Sequence, residues 1–163
     1  MKRIIIHWTA GNYKPSNLEL LSYHYLIDNL GKVHNCVHKP EDNEDCHDGN
    51  YAAHCGGGNT GSIGVAMCGM FGYKNFQDVG KYPLTKVQCE KMFSFVAELC
   101  KKYNIPITPD TVMTHYEFGR KHINTTSFGK IDIVYLPPYP EQPKETVGNF
   151  IRGKVKWYYE KLI

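Results

Sequence analysis

The first strong pattern is apolar and continuous. Arg3 to His7 reads RIIIH, which suits a central strand buried on both faces, with His7 at its mouth. Trp8-Thr9-Ala10-Gly11 turns the chain out, and a polar connection follows from Asn12 to Asn17. Next comes alternation. Tyr23 to Ile27, a turn at Asp28-Asn29-Leu30-Gly31, and Lys32 to Val37 predict a hairpin. Period two puts Tyr23, Tyr25 and Ile27 on one face, His24 and Leu26 on the other. Residues 39–62 are turn-rich, acidic and then glycine-rich, and read as a rim or lid loop. Ser62 to Gly69 is a second apolar strand, and Phe71 to Pro83 reads as a mobile loop. Thr85 is a fitting N-cap for a helix whose apolar face carries Cys89, Met92, Val96, Leu99, Cys100 and Tyr103. Ile105-Pro106 closes that helix. A β-prone run, Thr111 to Met113, leads to His115. Four prolines between 137 and 143 mark an extended crossing, and a last helix begins at about Glu145. Strands alternating with helices predict an α/β fold. At 163 residues, with no linker signal, one domain with no separate binding module is expected.

Composition changes this picture little. At 42% hydrophobic and 21% charged the chain is an ordinary globular one, and 12 tyrosines are compatible with a sugar or peptide groove. The formal charge of +3 comes without a basic run or an aromatic-interleaved stripe. That argues against a nucleic-acid partner and is compatible with an anionic wall polymer. Ile4-Ile5-Ile6 is too short for a signal-peptide core, and no stretch reaches membrane-spanning length, so no membrane insertion and synthesis in a cytoplasm are expected. A monomer is the expected state. Of six cysteines, Cys68, Cys89 and Cys100 fall in apolar elements and read as core thiols. Cys36, Cys46 and Cys55 share a loop-rich region with His38, His47 and His54, where a disulfide or a second metal site stays open although no zinc-finger spacing is present.

The candidate chemistry gathers around residues 114–132. His115 stands at a strand end, and Lys130 and Asp132, two apart, would share a face if their segment is extended. With His7 from a neighbouring strand, two imidazoles and a carboxylate form a hydrolase-type metal set with one position left open. His122 is an alternative ligand. Cys55 paired with His115 would instead suggest a thiol hydrolase, but without a helix N-terminus to activate the thiol.

The order of four segments resembles the zinc-dependent N-acetylmuramoyl-L-alanine amidase family, which includes phage lysozyme-amidases of the T7 type and peptidoglycan recognition proteins. IIIHWTAG matches the family's first strand with its metal histidine, His7. YHYLIDNLGKV matches the hairpin in which Tyr23 takes the place of an active-site tyrosine. AAHCGGGNTGSIGVAMCG matches the His-Ala-Gly-Asn loop and Ser-Ile-Gly strand, with Cys55 in place of the usual alanine. MTHYEFG and GKIDIVYLP match the second metal histidine, His115, and a lysine-x-ligand motif. The resemblance implies a mixed central β-sheet flanked by helices, with Zn²⁺ held by His7, His115 and Asp132. Asp132 followed by Ile133 departs from the more common cysteine followed by Pro-Gly. Ala66 stands where some branches carry a general-base glutamate, which leaves catalytic work to Tyr23 and Lys130. His54, Asn59, Trp8 and Tyr116 are candidates to line the substrate groove, and His54 is equally a candidate to do no more than anchor its glycine-rich loop. The implied partner is bacterial peptidoglycan, cut between N-acetylmuramic acid and L-alanine, either by an endolysin that reaches the wall through a holin or, equally allowed by the sequence, by a prophage or host remodelling enzyme. A recognition module without catalysis is the alternative.

Overall fold

The structure, a computed structural model, describes residues 1–162. Five strands form one sheet in the order β3-β2-β4-β1-β5. They are β1 (Arg3–Trp8), β2 (Tyr25–Ile27), β3 (Val33–Asn35), β4 (Ser62–Met67) and β5 (Val112–Thr114). β4 lies at the centre of this order; β1 is an interior strand between β4 and β5, parallel to both, and β2 is parallel to β4. Only β3 runs antiparallel, joined to β2 by the expected hairpin. Its turn is tied by the Asp28 carboxylate, which accepts from the backbone N–H groups of Leu30 and Lys32, and Gly31 supplies the positive φ of 85°.

The two faces of the sheet are built differently. Alternation along β1 sends Ile4, Ile6 and Trp8 into a continuous apolar core beneath α2 (Lys86–Tyr103) and α4 (Val147–Glu160). Ile5 and His7 point the other way, toward α1 (Asn17–Ser22) and α3 (His115–Lys121), where apolar contacts fall into two small clusters. α2 follows its sequence signals: Thr85 caps it through a reciprocal box with Gln88, and Asn104, at φ 54°, ends it before Ile105-Pro106. No helix among the described residues is long and apolar enough to cross a membrane.

Two expectations need correction, and two helices escaped the sequence pattern. Tyr23 is not a strand residue: it caps the C-terminal end of α1, and its ring packs with the Leu26 cluster instead of joining Tyr25 and Ile27. α1 escaped the hydrophobic pattern because it buries no residue, with Leu18 and Leu21 exposed, although Ser16 and Glu19 form a capping box. α3 also had no periodic signal. The segment carrying Lys130 and Asp132 is not extended; it is a chain of turns, with bonds from Lys130 N–H to the Ser127 carbonyl and from Val134 N–H to the Ile131 carbonyl.

Candidate metal centre and substrate cavity

His7 reaches the site because β1 alternates and because β4 and β5 flank it on both edges, which leaves its imidazole fully buried. His115 is the first residue of α3, set by the Thr114–Glu117 capping box. Glu117 is in turn gripped by both guanidinium nitrogens of Arg152 on α4 at 2.9 Å, and one of those nitrogens also donates to the Val112 carbonyl. Asp132 is delivered by the turns after α3. The next residue, Ile133, has φ 71°, a conformation unusual for a β-branched side chain, and is held there by its burial in the main core.

These three side chains converge. His7 Nδ1 lies 2.8 Å and His115 Nδ1 3.1 Å from the same oxygen, Asp132 Oδ2. The three donor atoms lie within 4.8 Å of one another, the one such group among the described residues that could hold a metal ion. Electrostatics separate the two histidines. Burial lowers His7 to about 4, outweighing its bond to Asp132. Burial also opposes charge on His115, but the hydrogen bond and charge of Asp132 overcome it and raise this imidazole to about 9. Asp132, despite burial, is held below the usual carboxylate range by both histidines.

The donor chemistry fits zinc: two imidazole nitrogens and one carboxylate oxygen, with a face open to a cavity. One divalent cation at this point would meet both Nδ1 lone pairs and the carboxylate together.

The cavity beside the centre has a volume of about 550 Å³. Tyr23, Trp8, His54, Asn59 and Lys130 line it with His115 and Asp132. The Tyr23 ring lies 5.1 Å from that of His7, and burial, with the Asp132 charge, pushes its phenol well above the ordinary value. Lys130 is exposed at the rim, so it and Asp132 share the cavity although no strand aligns them. Trp8 is almost wholly buried against Tyr73 and offers only an edge as floor. Asn59 spends its side-chain oxygen on the backbone N–H groups of His54 and Cys55, stapling the glycine-rich loop. Tyr116 lines a neighbouring groove of about 790 Å³ that meets the cavity at Ile131. His54, read either as a rim residue or as an anchor of its glycine-rich loop, is only 7% exposed and lies beneath His7, bonded to its Nε2 at 3.0 Å. A Cβ on Gly64 would come within 2.6 Å of the His54 ring, so that ring needs glycine beneath it.

Other histidines and cysteines stay apart. His122 is exposed and stacks on Phe118. His24 is buried, bonded to the Gly64 N–H and to Asn43, and anchors the loop above β4. All six cysteines are free thiols, and Cys36, Cys46 and Cys55 assemble neither a disulfide nor a second metal group among the described residues. Cys55 is 1% exposed, which also disfavours it as a nucleophile open to substrate. Sequence reasoning missed Ser127 and Arg152, since neither belongs to a motif.

The fold thus sets a buried His-His-Asp group, able to hold a metal ion, at the mouth of a mixed sheet. The family model described as N-acetylmuramoyl-L-alanine amidase matches residues 1–130, and the chain belongs to that family. Asp132 lies just beyond the matched stretch. No curated protein sequence matches the chain. Among solved structures, a variant of PlyL is similar with 22% identity and TM-score 0.55, covering 95% of this chain and 84% of its own. AmiD of E. coli, solved with anhydro-N-acetylmuramic acid-L-Ala-D-γ-Glu-L-Lys, has 20% identity and TM-score 0.52, covering 71% of this chain and 48% of its own. The drosophila peptidoglycan recognition protein SD has 18% identity and TM-score 0.50, covering 77% and 74%.

Proposed function

We propose that the protein is a zinc-dependent N-acetylmuramoyl-L-alanine amidase acting on bacterial peptidoglycan as a single catalytic domain. The observation that carries this reading is the buried triad in which two imidazole Nδ1 atoms address one carboxylate oxygen at 2.8 and 3.1 Å. His7, His115 and Asp132 would hold the metal. Zinc bound there would lower the pKa of its water from 15.7 to about 7 and polarise the scissile carbonyl.

The remaining steps belong to side chains. Tyr23, kept protonated by burial, offers an O–H donor beside His7 throughout the neutral range. That donor orients the attacking oxygen and stabilises the tetrahedral centre. The Lys130 ammonium, on the same cavity, meets the negative charge that develops on the carbonyl oxygen. Trp8 floors the cavity, Asn59 and His54 hold its glycine-rich wall, and Tyr116 extends the binding surface into the adjoining groove. Release of such an enzyme to the wall as a phage or prophage endolysin fits the same reading.

Digestion of purified peptidoglycan, with the soluble products identified by mass spectrometry, tests it. Stem peptides with a free L-alanine amino terminus are expected, and only in the absence of a zinc chelator. Cuts within the peptide would retain a hydrolase but discard this bond. Wall binding with no product would move the protein to the recognition modules.

A further inference from the structure

Two lines of hydrogen bonds run away from the triad, and each ends on a group that can only accept. In the first, the Ser62 carbonyl lies 3.4 Å from His54 Nε2, so that nitrogen carries the His54 proton. In an imidazole whose single proton sits on Nε2, Nδ1 has only a lone pair. That lone pair faces His7 Nε2 at 3.0 Å, and the contact is a hydrogen bond only if His7 donates from Nε2. His7 is then left with a bare Nδ1 pointing at Asp132. In the second line, the Gly56 carbonyl accepts the Ser127 hydroxyl proton at 2.7 Å. Ser127 Oγ therefore accepts from His115 Nε2 at 3.0 Å, and His115 also turns Nδ1 toward Asp132.

We propose that His54 and Ser127 are positioning residues that select the Nδ1-ligating tautomers of His7 and His115. This rests on the zinc reading above. His54 thus serves the metal from beneath and does not recognise substrate at the rim. The geometry has a built-in support: His54 sits flat over Gly64, where any side chain would displace it. Partners of metal-ligating imidazoles typically contribute about 10–100-fold in metal affinity.

The test compares His54→Asn, His54→Leu and Ser127→Ala with the wild type, by zinc titration against a competing chelator. Asparagine can place an acceptor oxygen near the former Nδ1 position but fills less space; leucine fills space and accepts nothing. His54→Asn is expected to keep most of the affinity, and His54→Leu and Ser127→Ala to lose about 10–100-fold. In the zinc-loaded protein, ¹H–¹⁵N spectra of the rings should show a slowly exchanging His7 Nε2–H in the wild type and His54→Asn, lost in His54→Leu. Equal affinities across the set, or leucine outperforming asparagine, would overturn the proposal in favour of simple packing. Ser127→Ala removes one oxygen atom and keeps the second line testable if the His54 variants misfold. Failure of the wild type itself to take up zinc would overturn the metal reading, a result distinct from equal affinities.

Discussion

The two faces of the sheet use the same strands for opposite ends. On the α2–α4 face, β1 contributes Ile4, Ile6 and Trp8 to one continuous core, with Phe93, Val96 and Ile151 fully or almost fully buried above it. On the other face the same strand contributes His7, and the neighbours are His24, His54, His115, Asp132 and Ser127, all buried and polar. Every buried side-chain polar atom among the described residues has a partner. One face is held by area, which is tolerant of detail; the other is held by a closed set of donors and acceptors, where a single missing atom leaves a buried group unpaired. Stability should therefore reside mainly on the first face and metal affinity on the second.

The largest test of that division is Asp132→Ala. It removes the oxygen shared by both histidines, so zinc stoichiometry and peptidoglycan cleavage should both fall below detection, while the circular-dichroism spectrum stays native because the α2–α4 core is untouched. Metal analysis after dialysis, alongside the cleavage assay, checks this. Zinc bound at the wild-type ratio would break the assignment of Asp132 as a ligand.

Phe93→Ala strikes the other face. The ring is fully buried against Tyr139 and Phe150, and its loss should cost about 3–5 kcal/mol in denaturant unfolding. Zinc affinity of the protein that remains folded should stay near the wild-type value. A large drop in affinity would show that the two faces are coupled through β1.

What the sequence disclosed follows the same line. Elements that bury an apolar face, β1, β4, α2 and α4, were legible because burial writes periodicity into the chain. The candidate ligands His7, His115 and Asp132 stood out as a family pattern that keeps their order, and the fold brings the three together. α1 and α3 were not, since α1 buries nothing and α3, seven residues long, spends much of its length on capping and on the candidate ligand His115. Tyr23 was placed on a strand because it sits two residues before β2, in phase with Tyr25 and Ile27. His54 carried two readings, rim or anchor, and only the direction of its two ring nitrogens separates them. Ser127 belongs to no pattern: its role arises from a turn that brings it under His115 from 12 residues away.

Arg152 is where the faces meet. It belongs to α4 of the apolar face, yet it grips Glu117 in the capping box that positions His115. Arg152→Met keeps length and apolar volume but leaves Glu117 and the Val112 carbonyl without their partner. With Glu117 partly exposed, a loss of about 2–3 kcal/mol is expected, below the range for a fully buried pair. Zinc affinity should fall with it, unlike in Phe93→Ala. Loss of stability with unchanged affinity would confine Arg152 to the fold.

The smallest effect is a pH dependence that separates the two histidines within the site. Without metal, His115 is raised to about 9 and so carries a proton at neutral pH, whereas His7, lowered to about 4, carries none to release. Zinc must displace the His115 proton to reach its Nδ1. Apparent zinc affinity should therefore rise with pH by about tenfold per unit, or about 1.4 kcal/mol, up to roughly pH 9, and flatten above it. Calorimetry at pH 7.5 in buffers of different ionisation enthalpy should count about one proton released per zinc bound. Phe93→Ala should leave that count unchanged, since nothing on its face titrates with the metal. Release of two protons would mean that His7 too is charged before zinc arrives, and the burial that distinguishes the two imidazoles would then be weaker than the structure implies.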